Sequence, residues 1–371
     1  MVFSVASSEL YHHLNKVIGP VGTNNIMPIL EDFLLVLEGE QLTVTATDLE
    51  TTVTTSLQVN SEDTGIIACP AKMLLETVKA LQNQPITFDV SEETKQITVS
   101  SPFGKYNMSG HDPADFPQIS AHQESDSLKL SSVILQRGIA KSIFATSNDE
   151  MRKTMMGVYF QIDFSKMNVV ATDAHKLVRY QFNNINSDVT TSFVLPKKPL
   201  ILLKSILDSD DEVNFEFDKS HAYFTFGDTT LACRMLEGKY PDYNLVIPTN
   251  NPNQLKVKRH DLLSSLKRLA IYANKTTNQT VFSLTENSLT LTSQDFDYSN
   301  EATEQLSCDY NGDDLTIAFN AKFLIEMLSA LETDEVVFQL SENNRPGIIV
   351  PDENSENEDL LMLIMPVTLG Y

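Results

Sequence analysis

Long apolar runs are missing from this sequence: none approaches the ~20 residues that a membrane-spanning helix needs. The start, MVFSVASSELYHHLNKV, lacks a basic segment followed by an apolar one, so no signal peptide is expected, and a cytoplasmic protein is. Cysteine is scarce. Cys69, Cys233 and Cys308 are odd in number and far apart, and no CxxC pair occurs, which argues against a disulfide framework, a zinc site or redox work. Cations are few as well: 27 Lys+Arg stand against 50 Asp+Glu, a formal net charge of −23. Taken alone, that balance speaks against a protein that grips nucleic acid tightly, because phosphate binding needs cationic side chains. Zinc-finger, recognition-helix and RNA-binding aromatic signatures are absent. The seven histidines are scattered without ligand spacing, so no metal or cofactor is expected. Asp173 and His175, at i and i+2, could orient a general base, but no GxSxG or other nucleophile motif accompanies them. Asp48 and Asp295 recur in equivalent places with no following histidine, so a structural Asp is expected there and no enzyme.

What the chain does have is internal repetition. CPAKMLLETVKAL from Cys69, LPKKPLILLKSIL from Leu195 and FNAKFLIEMLSAL from Phe319 start 126 and 124 residues apart and align Lys72, Lys198 and Lys322. FSVASSELYHHLNKVI, LKLSSVILQRGIAKSI and LKVKRHDLLSSLKRLA keep the same step, each a short strand followed by a helix. Their apolar sets are expected at Leu10, Leu14 and Ile18; Leu135, Ile139 and Ile143; and Leu262, Leu266 and Ala270. Asp48, Asp173 and Asp295 are in step on the segments TATDLET, VATDAHK and LTSQDFD, and the three copies close on Pro117, Pro241 and Pro366. Three repeats are therefore expected, 1–122, 123–249 and 250–371, of α+β class, each with two helices packed on antiparallel sheet. The apolar end LLMLIMPVTLGY is expected to be the last strand of the third copy, tied down where chain ends usually fray.

Cations concentrate on the helices. The first repeat has five Lys and no Arg against fifteen acids, and Lys16, Lys72 and Lys79 fall on its helices. Lys16 has basic counterparts in Lys141 and Arg268, and Arg137, Lys204 and Lys267 extend the set. One exposed lysine on a helix is ordinary; the same basic face three times over, on an otherwise acidic body, suggests a surface that meets a polyanion without reading its sequence.

MPIL (27–30), TATDLE (45–50), ADFP (114–117), ATDAHKL (171–177), YPDY (240–243) and MPV (365–367) fall in register over the whole length. Together with the repeat, they make the chain similar to the bacterial sliding clamp family, the beta subunit of the replicative DNA polymerase. The resemblance implies three tandem DNA-clamp subdomains, a head-to-tail homodimer closed into a ring around double-stranded DNA, and a role as a processivity factor in DNA replication. It implies a DNA-facing set of Lys16, Lys72, Lys79, Arg137, Lys141, Lys198, Lys204, Lys267, Arg268 and Lys322. It also implies a hydrophobic groove for short linear motifs of the polymerase, clamp loader and repair or translesion proteins. Carried over by position, the groove uses Met155, Thr172, Ala174, His175, Lys176, Leu177, Pro241, Val246, Ile364, Met365, Pro366 and Val367. The implied dimer interface sets Tyr106 and Met108 against Ile271 and Tyr272, with Glu301 and Glu304 facing Lys95 and Lys105. The chain departs from the family pattern at Asn24, Leu245, Thr368 and the terminal LGY. From the residues alone, an acidic repeat scaffold that binds peptides but not DNA stays open; only the basic helix faces distinguish the two.

Overall fold

The computed structural model describes residues 1–22, 27–118, 126–208 and 212–368. Asn24, the boundary expected near 122 and the terminal Leu369–Tyr371 lie outside the described residues. Two compact units form, Met1–Val133 with Lys198–Met235, and Ile134–Lys197 with Leu236–Tyr371. No helix among the described residues is long and apolar enough to cross a membrane.

Six α-helices fall on the repeated segments: α1 Ser7–Val17, α2 Ala71–Ala80, α3 Ser132–Ser142, α4 Lys197–Ile206, α5 Arg259–Leu269 and α6 Ala321–Ala330. In α1 the buried stripe is Leu10, Leu14 and Val17, and in α5 it is Leu262, Leu266 and Leu269. The third member is therefore at i+7. Ile18, Ile143 and Ala270, expected at i+8, are only half-buried, because 3.6 residues per turn carries i+8 round the edge of the stripe. Asn320 caps α6: its side chain accepts the N–H groups of Lys322 and Phe323 at 3.0 and 3.4 Å.

In the first unit, Val2–Ala6, Pro85–Val90, Gln96–Ser101 and Gly104–Ser109 make a four-stranded sheet in that order. An eight-stranded sheet runs Thr64–Pro70, Asp32–Glu38, Gln41–Thr47, Thr51–Gln58, Thr229–Arg234, His221–Phe226, Glu212–Phe217, Asp126–Ser131. In the second unit, a nine-stranded sheet runs Thr191–Pro196, Gly157–Asp163, Lys166–Thr172, Lys176–Asn183, Glu358–Ile364, Gly347–Pro351, Glu335–Leu340, Asn253–Lys258, Asp309–Asn311. Its companion is the four-stranded Asn300–Ser307, Ser288–Asp295, Gln279–Thr285, Leu315–Asn320. Every pairing is antiparallel, and the middle repeat divides its strands between the two long sheets. Sheet continuity thus runs across repeat boundaries: Thr51–Gln58 pairs with Thr229–Arg234, and Lys176–Asn183 with Glu358–Ile364.

The apolar chain end is strand only as far as Ile364, because Pro366 has no N–H to continue a ladder. Beyond it, the Met365 N–H donates to the His175 carbonyl at 2.8 Å and the Val367 N–H to the Ala318 carbonyl at 2.8 Å, which hold the segment without strand pairing. Pro117 and Pro241 likewise lie outside the strands.

Candidate functional site

The segment Thr172–Lys176 turns one strand into the next. The Thr172 hydroxyl donates to the Lys176 carbonyl at 2.8 Å and accepts the Ala174 N–H at 3.1 Å. Asp173 Oδ1 accepts the N–H groups of His175 and Lys176, both at 2.9 Å. Ala174 is held at φ 75°, a region that residues with a Cβ seldom occupy. The Asp of the repeat signature thus binds backbone, as Asp and Asn do in such turns. It does not orient His175 as a base.

On one face of the adjoining strands, Val170, Leu177, Val194 and Leu363 pack with Tyr240 and Tyr243, and Tyr159, Leu236, Ile247 and Leu361 lie against them. Tyr159 and Tyr240 stack at 4.6 Å between centroids, and Tyr243 donates its hydroxyl to Gln161 Oε1 at 2.8 Å. Burial pushes the Tyr240 hydroxyl pKa upward. Leu177 and Leu363 are opposite each other across the ladder. The other face turns to α3: a Cβ on Gly138 would stand 3.3 Å from both Phe182 and Val169. Exposed side chains adjoin cluster residues in sequence: Val246, beside Ile247, is 52% exposed, Pro241, beside Tyr240, is exposed, and Met365, two residues past Leu363, is 38% exposed. Aliphatic side chains, stacked tyrosines and the exposed Val246 and Met365 near them in sequence are groups against which apolar anchor side chains can pack.

Of the groove residues expected from sequence, Leu177 lies in this cluster, Thr172, Ala174 and His175 form the turn, and Val246, Met365 and Pro241 are exposed. Ile364 lies outside this cluster, because it is one residue out of phase with Leu363 and successive strand residues face opposite sides. Lys176, also expected in the groove, lies outside the cluster. It is buried, with its ammonium 2.7 Å from Glu326, 3.3 Å from Asp173 and 4.2 Å above the Phe323 ring. Met155 is half-buried, as are Pro366 and Val367. Beside Leu177 the cluster holds Leu363, Tyr240, Tyr243, Val170 and Val194, none of them among the residues expected from sequence; strict alternation along LLMLI would have given Leu361 and Leu363.

The expected DNA-facing cations fall into two groups. Lys72, Lys79, Lys204, Lys267 and Lys322 are exposed and have no ion pair among the described residues. The other five are engaged within the chain: Lys16 with Asp208 at 3.6 Å, Arg137 with Glu358 at 2.8 Å, Lys198 with Asp48, Arg268 with Glu304, and Lys141 with Glu332 at 2.8 Å. Lys141 departs furthest from its expected role. It is buried, and it also donates to the carbonyl of Ala330, the last residue of α6, at 2.6 Å. A lysine there satisfies an orphan helix-end acceptor and complements the helix dipole. Lys141→Ala is expected to lower stability by about 1.5–3 kcal/mol, the contribution of a hydrogen bond from a charged donor, read as a shift of the denaturant midpoint. Unchanged stability combined with lost DNA engagement would return Lys141 to the DNA-facing set.

Among the outer strands of the sheets are Gly104–Ser109 in the first unit and Asn300–Ser307 in the second. Tyr106 (37%), Ile271 (67%) and Tyr272 (43%) are exposed as expected, whereas Met108 is buried, with its sulfur 3.6 Å from the Cys69 thiol. Glu301 is exposed, but Glu304 accepts from Arg268 Nε at 2.7 Å and from the Ser265 hydroxyl at 2.7 Å, which hold its carboxyl below the usual carboxylate range. Lys95 stands 4.0 Å from Asp112, and Lys105 is exposed.

Three family models match the chain in tandem: the DNA polymerase III beta subunit N-terminal domain over residues 1–120, the central domain over 129–242 and the C-terminal domain over 244–368. The Synechococcus elongatus beta sliding clamp is 30% identical over 98% of both chains, and that of Pseudomonas aeruginosa 27% identical over 100% of both. Among solved structures, the P. aeruginosa sliding clamp bound to griselimycin superposes with a TM-score of 0.94 at 27% identity, and the Bartonella birtlesii clamp bound to griselimycin with 0.93 at 29%, each over 100% of both chains.

Proposed function

This chain belongs to the DNA polymerase III beta subunit family, the sliding clamps, and we propose that it closes its ring as a head-to-tail homodimer and recruits partners through the groove around Leu177 and Leu363. As a member of that family it is a non-enzymatic processivity factor that encircles DNA and works with the polymerase. A peptide-binding scaffold without DNA is not supported.

One observation supports the dimer: two outer strands among the described residues lack the neighbour that their repeat counterparts have. The first repeat's Thr51–Gln58 is extended by Thr229–Arg234 of the second, and the second repeat's Lys176–Asn183 by Glu358–Ile364 of the third. By the same rule, the third repeat's Asn300–Ser307 lacks its neighbour, and the first repeat's Gly104–Ser109 is the strand left over. A second copy supplies the match at each end, and a heterologous contact that closes makes a ring instead of a filament. Pairing would also remove two exposed edges that otherwise invite aggregation. Tyr106 of one copy would meet Ile271 and Tyr272 of the other, and Glu301 would face Lys105.

Within the ring, Lys72, Lys79, Lys204, Lys267 and Lys322 are the cations free to engage phosphate. Loose, salt-screened contacts suit a ring that holds DNA topologically and must slide. The groove takes short linear motifs of the polymerase, the clamp loader and repair or translesion proteins. The three repeats are bounded near 122 and 249, and the protein works in the cytoplasm, where a bacterial chromosome is copied. Light scattering is expected to give a particle near twice 41.5 kDa. Protein loaded on a nicked circle is expected to stay bound until the circle is linearised, then to slide off. A monomer throughout, or release independent of linearisation, would overturn the ring.

A further inference from the structure

The corner that frames the groove has a counterpart in the first unit. The Thr47 hydroxyl donates to the Thr51 carbonyl at 3.2 Å and accepts the Leu49 N–H at 3.1 Å; Asp48 Oδ1 accepts the N–H groups of Glu50 and Thr51 at 3.2 and 2.7 Å. Leu49 is held at φ 77°, matching Ala174. The Arg234 N–H donates to the Glu50 carbonyl at 2.9 Å, as the Met365 N–H does to that of His175 at 2.8 Å. Strand register continues the match: Thr52 stands opposite Ala232 as Leu177 does opposite Leu363, and Thr54 opposite Thr230 as Arg179 does opposite Leu361. Beside this corner lies a cavity of about 330 Å³, lined by Leu49, Glu50, Thr52, Thr54, His221 and Tyr223 among others, which is within the size range of ligand sites.

The same backbone carries different chemistry. Where the groove floor has Leu177, Leu361 and Leu363, this floor has Thr52, Thr230 and Ala232. Its hydroxyls bond one another across the strands, Thr47 to Thr52 at 2.8 Å and Thr225 to Thr230 at 3.1 Å, which leaves threonine methyls and partly used acceptors facing the cavity. Such a floor offers little burial to the paired aliphatic anchors that suit the groove. Leu49, 56% exposed, gives one apolar wall and the Tyr223 ring a second surface. Among the described residues, Glu50 is the one acidic residue lining the cavity; it is exposed and has no ion pair there.

We propose that this cavity is a second linear-motif site, taking an extended peptide in which an aromatic residue adjoins a lysine or arginine. The aromatic side chain seats against Leu49, Ala232 and Tyr223, and the cation pairs with Glu50. Charge complementarity selects that occupant: a net charge of −23 repels acidic segments, and the lining carboxylate has no counter-ion among the described residues. The proposal rests on the reading of the second-unit corner as a peptide groove, with which it shares its backbone construction.

The test titrates fluorescein-labelled, amidated hexapeptides holding one Phe–Lys pair among Gly and Ser into the full-length protein at low salt, with Phe–Glu peptides as counterparts. Phe–Lys peptides are expected to bind at least fivefold more tightly than Phe–Glu peptides. Glu50→Lys is expected to erase the difference, and Leu49→Asn, which tolerates the positive φ, to weaken binding at least threefold. Val246→Asp with Met365→Asp is expected to leave Phe–Lys binding unchanged. Equal affinity for both peptides, indifference to Glu50→Lys, or loss on changing Val246 and Met365 would each overturn the second site. Failure of the groove itself has a separate readout, a polymerase-derived peptide that is indifferent to the Val246 and Met365 changes.

Discussion

Replacing Val246 and Met365 together by aspartate is expected to weaken binding of polymerase-derived peptides at least a hundredfold, about 2.8 kcal/mol at 1.4 kcal/mol per decade. Both side chains are substantially exposed in the free chain, so the change puts carboxylates on the rim and leaves the core intact. A peptide anchor seated over Leu177, Leu363 and the stacked tyrosines would lose two apolar neighbours and gain two charges it must desolvate. Leu177 and Leu363 are the wrong residues to change, because at 2% and 3% exposure their loss would destabilise the sheet and confuse folding with binding. Met365 is a clean probe for a further reason: its backbone is fixed by the N–H bond to His175, so only the side chain changes. Fluorescence anisotropy reads the affinity and thermal melting checks the fold. Affinity within threefold of the parent, in a protein that melts normally, would place the peptide site elsewhere.

Local order was legible in the sequence wherever a period carries it. The strand–helix segments at Val2–Val17 and Asn253–Leu269 follow from alternation giving way to a 3.6-residue stripe, and the repeat step from the coincidence of Lys72, Lys198 and Lys322. Less legible was phase within a nearly all-apolar strand. In LLMLIM both faces read alike, because the strand is packed on both sides, and only the partner strand shows that Leu363 and not Ile364 faces the tyrosines. Nor can a charge be sorted by sequence into free and engaged. Lys141 occupies the position of Lys16 in its repeat, yet its ammonium is committed to the end of α6, about 190 residues downstream. Asp48 and Asp173 are intermediate: a role at strand ends was readable, while their duty, pinning a turn through backbone N–H groups, depends on the preceding threonine and the positive φ two residues after that threonine.

That sorting of cations decides where the second large effect is expected. Reversing Lys72, Lys204 and Lys322 to glutamate should cut loading onto nicked circular DNA at low salt at least tenfold, with dimer mass unaltered. All three are exposed on helices and have no ion pair among the described residues, so their reversal breaks no internal contact. In a two-chain ring the change affects six sites, and at about 0.9 per phosphate contact the slope of log binding against log salt should fall by about five if every site is engaged. The matching reversal of Lys16, Arg137 and Lys198 would be a poorer test, since those side chains already face Asp208, Glu358 and Asp48, and their loss would set like charges together inside the chain. Rings loaded at the reduced yield should still resist high salt, because topology and not charge retains them once closed. Loading and salt slope equal to the parent's would show that these lysines do not face DNA, and the acidic body would then need another explanation for how it tolerates a polyanion at its centre.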